Sequence, residues 1–242
     1  MKRKKFKISL LMALLLFLSG FISYYYMPEP KEKDSDIKYV AQNGVKDYVL
    51  SLSYEGEPYC VINNNYPYFD EDDITTDEYE EYSPLDDLGR CGVAKANISS
   101  FTMPTAERGA IGHVKPTGWH TVKYNGIIEG NYLYNRCHLI AYELAGENAN
   151  EKNLITGTRY LNIKGMLPFE NKVAAYVKDT GNHVLYRVTP VFKDDEAVAR
   201  GVIMEAYSVE DKGEGICFCV YAFNVQPGIE IDYLNGESRQ IV

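Results

Sequence analysis

Residues able to carry acid–base and phosphate chemistry gather in one stretch of this chain. Asn135-Arg136-Cys137-His138-Leu139-Ile140 sets an Arg two residues before a His, and a run rich in Asn and Gly follows from Asn150 through Asn153 to Asn162. Glu170 comes next, at the start of a helical pattern. A His on its own says little; its company here suits phosphodiester hydrolysis. That reaction needs a base to deprotonate water, and His is the side chain whose unperturbed pKa lies near neutrality. It needs a cation to neutralise charge developing on the phosphate. Mg²⁺ prefers oxygen ligands and keeps several waters, so one Asn carbonyl with a nearby carboxylate suffices to hold it. An Arg supplies two parallel hydrogen bonds to phosphate oxygens.

These residues need a scaffold, and the pattern around them predicts one. Residues 47–53 and 58–62 alternate in the manner of two short strands about Gly56. The stretch 69–87 is very acidic and reads as a solvated face; its spacing does not fit an EF-hand calcium loop. Residues 88–103 form a short helix or strand over the core, and Gly109, Gly112, Pro116 and Gly118 mark loops before Trp119, the one tryptophan. Residues 131–140 read as a strand that runs into the His138 motif. Residues 168–181 read as a helix, with Pro168 in its first turn, Val173, Ala174 and Val177 as its apolar stripe and Gly181 to end it. Strand-like runs follow at 183–192, 202–209, 216–225 and 229–233. Strands before and after central helices predict an α+β fold, with a mixed, largely antiparallel central sheet flanked by helices.

With those motifs in view, the chain resembles the DNA/RNA non-specific endonucleases with a ββα-metal (His-Me finger) site, and within them the membrane-bound DNA-entry nucleases. The family's Asp-Arg-Gly-His appears as Asn135-Arg136-Cys137-His138, its Asn-x-x-Asn segment as Asn150 to Asn153 before Leu154, its helix Asn as Asn162 and its following Glu as Glu170. Trp119 after Gly118 and the closing Asn224-Val225-Gln226-Pro227-Gly228 are weaker likenesses, and the whole resemblance spans about 46–240. It implies that His138 is the general base, that Asn162 is the direct protein ligand of a hydrated Mg²⁺ (which Mn²⁺ replaces), and that Glu170 holds the waters of that ion. It implies phosphate contacts from Arg136 and Arg159, an orienting role for Asn153, and products with 5′-phosphate ends. Asn135 in place of Asp removes a charge near the His, and Cys137 in place of Gly requires the strand to accept a side chain. Those two departures leave room for a non-catalytic surface receptor for DNA on a nuclease-like scaffold.

The remaining features concern location and charge. The chain has 242 residues, 25 Lys and Arg and 34 Asp and Glu, for a net charge of −9. Lys2, Arg3, Lys4, Lys5 and Lys7 precede an apolar run at 8–27 that ends in Tyr24, Tyr25 and Tyr26. A run of about 20 apolar residues spans a bilayer, with its basic flank cytoplasmic. No small-residue cleavage site follows Leu18, so residues 1–27 read as an uncleaved signal-anchor, 28–45 as a polar tether and 46–242 as the catalytic domain. The expected location is the cell membrane, single-pass with the catalytic domain outside, or secreted if the segment is cut. Residues 1–27 carry five of the bases and no acid, so the rest holds 20 bases against 34 acids, a charge of −14. A general basic surface for nucleic acid is thereby excluded, and a local basic site is not. DNA, with RNA as a further substrate, is the expected partner. Cys60, Cys91, Cys137, Cys217 and Cys219 are odd in number, so at least one has no partner within the chain. Cys217 and Cys219 share one strand face and read as small core residues. His113, His120 and His183 read as surface or structural.

Overall fold

The computed structural model describes residues 42–241. The apolar segment at 8–27 and most of the tether lie outside the described residues. Among those described, no helix is long and apolar enough to cross a membrane.

The chain enters through a helix, α1 (Gln42–Ser51), and not through the strand that residues 47–53 suggest. Val45 and Val49 explain the difference. They stand four apart, both buried, and pack one helical face onto the sheet, whereas the alternation of Tyr48, Leu50 and Leu52 supplies only partly buried flanks. The helix also begins inside the stretch read as tether.

Six strands then build the main sheet: β1 (Tyr59–Val61), β2 (Glu80–Tyr82), β3 (Ala94–Ile98), β6 (Val184–Val191), β7 (Gly201–Ser208) and β8 (Cys217–Phe223), in the spatial order β1-β8-β7-β6-β3-β2. Each neighbouring pair is antiparallel. The strand period of two divides β8 cleanly. Phe218, Val220 and Ala222 face one side, while Cys219, Tyr221 and Phe223 face the other beneath α1. On the first side lie a hairpin, β4 (Tyr134–His138) with β5 (Leu154–Thr158), and the long helix α3 (Leu167–Thr180). A four-residue helix, α2 (Tyr142–Ala145), sits in the hairpin's connection. β9 (Ile229–Ile231) and β10 (Ser238–Gln240) form a small ribbon near Trp119. The architecture is therefore α+β with antiparallel sheets, in three layers: α1, the six-stranded sheet, then α3 with the β4–β5 hairpin.

Asn224 ties the hairpin to the sheet. It is fully buried, accepts from the Thr158 backbone N–H at 2.8 Å, and donates to the carbonyls of Thr156 at 3.0 Å and Ala199 at 2.8 Å. All five cysteines are free. The acidic stretch is largely exposed and partly paired, Asp73 with Lys95 and Glu78 with Ser99.

Candidate active site

Strand β4 ends on His138, opposite Leu154 of β5. Asn153 holds the chain just beyond it. Its buried carboxamide accepts from the Ile140 N–H at 2.9 Å and donates to the Ile140 carbonyl at 3.0 Å, and its own carbonyl accepts from Leu139. A side chain with one donor end and one acceptor end thus imitates a strand partner where β5 has not yet begun. These bonds fix the backbone two residues past His138.

The imidazole of His138 has both nitrogens engaged. Nε2 is 2.7 Å from the carbonyl oxygen of Asn148, and Nδ1 is 3.1 Å from a guanidinium nitrogen of Arg108. A carbonyl only accepts and a guanidinium only donates. The proton therefore sits on Nε2, and the Nδ1 lone pair points toward Arg108. Burial, with the Arg108 charge adding to it, holds the imidazole below its ordinary 6.5. His138 is therefore neutral near pH 7, with an Nδ1 lone pair whose direction is fixed and whose partner is Arg108.

From Thr158 the chain turns into the helical layer. The Leu161 N–H bonds to Thr158 Oγ1 at 2.9 Å, and residues Leu161–Met166 make a π-helical turn that runs straight into α3. Such turns recur at functional sites because they redirect one side chain out of register. Asn162 is on this turn, half-buried, its Oδ1 3.1 Å from Cys137 Sγ. Glu170 stands one turn ahead of Val173, Ala174 and Val177 on the buried stripe of α3. A carboxylate thus occupies a core-facing position, and no hydrogen bond within the described residues satisfies it. Burial first, then the carboxylate of Glu143 on α2, pushes its pKa up to about 8 against the pull of Arg108.

A cleft of about 810 Å³ brings His138, Asn162, Glu170, Arg136, Arg159, Arg108 and Glu143 together. Asn153 lies behind it and acts through the backbone. Arg136 is largely spoken for. Its guanidinium donates to the carbonyls of Val114 and, at 2.7 Å, of Gly112, and lies over the Trp119 ring at 4.0 Å. It braces the loop that walls the cleft. Arg159 differs, with its Nε buried and without a hydrogen-bond partner. Asn135 lines the cleft, so the position of the motif Asp faces the site as a neutral amide.

Three participants escape the motif reading: Arg108, Glu143 and the Asn148 carbonyl. Arg108 stands in an exposed loop with no periodicity, 30 residues before His138. One local signal existed, Gly109 beside it. A Cβ there would come within 2.8 Å of Asn148 Nδ2, so the glycine lets the Arg108 loop close over the residue that fixes the His138 tautomer.

The oxygen donors of Asn162 and Glu170 suit a hard divalent cation, and positive charge beside Glu170 would offset the burial that disfavours its ionised form. Among the described residues no three of His, Cys, Asp or Glu cluster to cage a metal. An ion here would keep most of its water. The other histidines take structural parts. His120 Nε2 meets the Asn235 carbonyl at 2.9 Å, His183 pairs with Glu210 at 2.6 Å, and His113 is exposed.

Known proteins share the fold. The sequence profile of the DNA/RNA non-specific endonucleases matches residues 71–210, more than half of the chain. NucA from Streptococcus agalactiae, solved with magnesium bound, is 27% identical, with a TM-score of 0.68 over 83% of this chain and 95% of that one. Sda1 nuclease, solved with a zinc ion, is 25% identical, with a TM-score of 0.65 over 77% of this chain and 98% of that one. With the His138 cleft in place and the profile spanning both its strands and its helix, the chain belongs to the DNA/RNA non-specific endonuclease family and is a nuclease.

Proposed function

We propose that this nuclease is an exported, membrane-tethered, Mg²⁺-dependent endonuclease of the ββα-metal type, with β4, β5 and the helix from Leu161 to Thr180 as its motif. It cleaves DNA, with RNA as a further substrate, without sequence preference, because backbone contacts carry no base information. The observation that carries the reading is the fixed His138 tautomer, whose Nδ1 faces Arg108 in the cleft that also holds Asn162 and Glu170.

With Arg108 turned from Nδ1 to the substrate phosphate, His138 takes a proton from water at Nδ1 as that oxygen forms a bond to phosphorus. The bond from phosphorus to the 3′-oxygen breaks, and that oxygen takes a proton from water in the cleft. The products carry a 5′-phosphate and a 3′-hydroxyl. Arg108 then bonds the attacked phosphate, and Arg159, which lines the cleft, contacts a neighbouring one. Asn162 would hold the ion directly through Oδ1, and Glu170 would hold its waters. When bound, Mg²⁺ neutralises charge on the phosphate and supplies acidic water to the departing oxygen. Mn²⁺ shares the ligand preference and would replace it. Tyr132, 45% exposed at the cleft wall, has Lys123 Nζ over its ring at 4.5 Å, which sets a cation and a stacking surface side by side for a nucleotide.

The test incubates plasmid DNA and RNA with the full-length chain, with Mg²⁺ or with EDTA. Degradation in Mg²⁺ alone, lost in His138→Ala, is the expected result. DNA bound but uncut across several divalent metals would overturn it in favour of a receptor.

A further inference from the structure

The thiol of Cys137 stands where the family motif has a glycine, and it is fully buried. Its Sγ is 3.1 Å from Asn162 Oδ1 and 3.4 Å from Met166 Sδ. A thiol has one proton to give, and an amide oxygen is a better acceptor than a thioether. The hydrogen bond therefore runs from Sγ to Oδ1. The strand beside it is fitted to this side chain: a Cβ on Gly157 would come within 2.6 Å of Cys137 Cβ and 3.2 Å of Sγ. The glycine that the motif lacks at 137 is present across the hairpin at 157.

We propose that Cys137 is a positioning residue for the metal ligand, its S–H fixing which end of the Asn162 carboxamide faces the cation. An amide oxygen has two lone pairs. With one on the thiol, the other is left for a cation. Turned over, the carboxamide would set its NH₂ against the S–H donor and deprive the ion of its oxygen. A glycine at 137 cannot make this distinction. A thiol whose sulfur meets an amide oxygen and a thioether has, among the described residues, no cation or base against it to take its proton. The proposal rests on Asn162 being the metal ligand, as the preceding reading has it.

Two measurements on the full-length chain test it. In metal-free protein, the infrared S–H stretch of Cys137 is assigned by difference against Cys137→Ser, then followed in Asn162→Ala. A shift to higher frequency in Asn162→Ala shows that the bond exists; an unmoved band overturns the proposal without reference to metal. Mn²⁺ binding is then titrated by electron paramagnetic resonance. Cys137→Ala, which keeps Cβ and removes the donor, should weaken binding about 10-fold, the lower range for loss of a ligand-orienting contact. Cys137→Ser should restore most of it, with melting in EDTA reported for each variant. Wild-type affinity in Cys137→Ala, or no rescue by serine, overturns the positioning role. A wild-type chain that binds no Mn²⁺ overturns the metal reading, while the infrared band still decides whether the thiol holds Asn162.

Discussion

His138 and Glu170 both have shifted pKa values, and the two shifts push stability in opposite directions along the pH scale. The imidazole is held below 6.5, so the unfolded chain takes up a proton there before the folded one does. Stability is lost as pH falls below 6.5 toward the folded value. The same depression sets the rate profile: with metal saturating, the acid limb of kcat/KM should lie below 6.5, and Arg108→Ala should move it upward while slowing cleavage. A limb above 6.5 in the wild type would contradict the tautomer assignment. Glu170 is the reverse case, raised from 4.5 to about 8. Ionising it in the fold is unfavourable, so a penalty grows from about pH 4.5 to about pH 8 and then levels off. At about 1.4 kcal/mol per pKa unit this reaches a few kcal/mol. In EDTA, calorimetry should therefore find Glu170→Gln more stable than wild type at pH 8 and equal to it near pH 4. Equal melting at both pH values would show that the carboxyl is already satisfied. His138, Asn162 and Glu170 were picked out by resemblance to the family motif, and they share one cleft because a single hairpin and the helix after it carry them. Arg108 and Glu143 were not, since only the path of two loops brings them to the same cleft.

At the scale of elements, helix α3 was read from its own caps and stripe, because Pro168, Gly181 and Val173-Ala174-x-x-Val177 are local signals that the structure keeps. Helix α1 was misread because its alternation of apolar residues resembles a strand, and the sheet that selects Val45 and Val49 lies far along the chain. Its contribution is measurable: Val49→Ala should cost about 2 kcal/mol in urea unfolding, as expected for emptying part of a buried site. A chain starting at residue 46, which omits Val45, should melt below one starting at 42. The hairpin carries a sharper case. Gly157→Ala forces a Cβ against Cys137, and such overpacking costs about 1–3 kcal/mol. Cys137→Gly removes the obstacle, so the double variant should be more stable than the sum of the two single losses predicts. Additivity within about 0.5 kcal/mol would mean the strands part enough to avoid the clash.

The whole molecule sets a harder problem, because residues 28–242, with 20 bases against 34 acids, must hold a polyanion. The structure separates the charges. None of the acids in 69–87 lines the cleft; they lie on and around the edge strand β2, while Arg108, Arg136 and Arg159 converge beside His138. Arg136 already serves two carbonyls, so few cations remain for phosphates. On the proposed function, attraction is local and depends on a divalent ion to offset Glu170 and Glu143. Duplex binding loses about 0.9 in the logarithmic salt slope for each phosphate neutralised. Three arginines thus set a limit near −3, far shallower than a protein that grips DNA through a basic face. Fluorescence anisotropy with the inert His138→Ala variant can measure this slope at fixed Mg²⁺ and again in EDTA. Binding should weaken with salt at a slope no steeper than about −3, and should fall sharply when the ion is removed. Tight binding in EDTA that ignores salt would place the substrate on some surface other than this cleft.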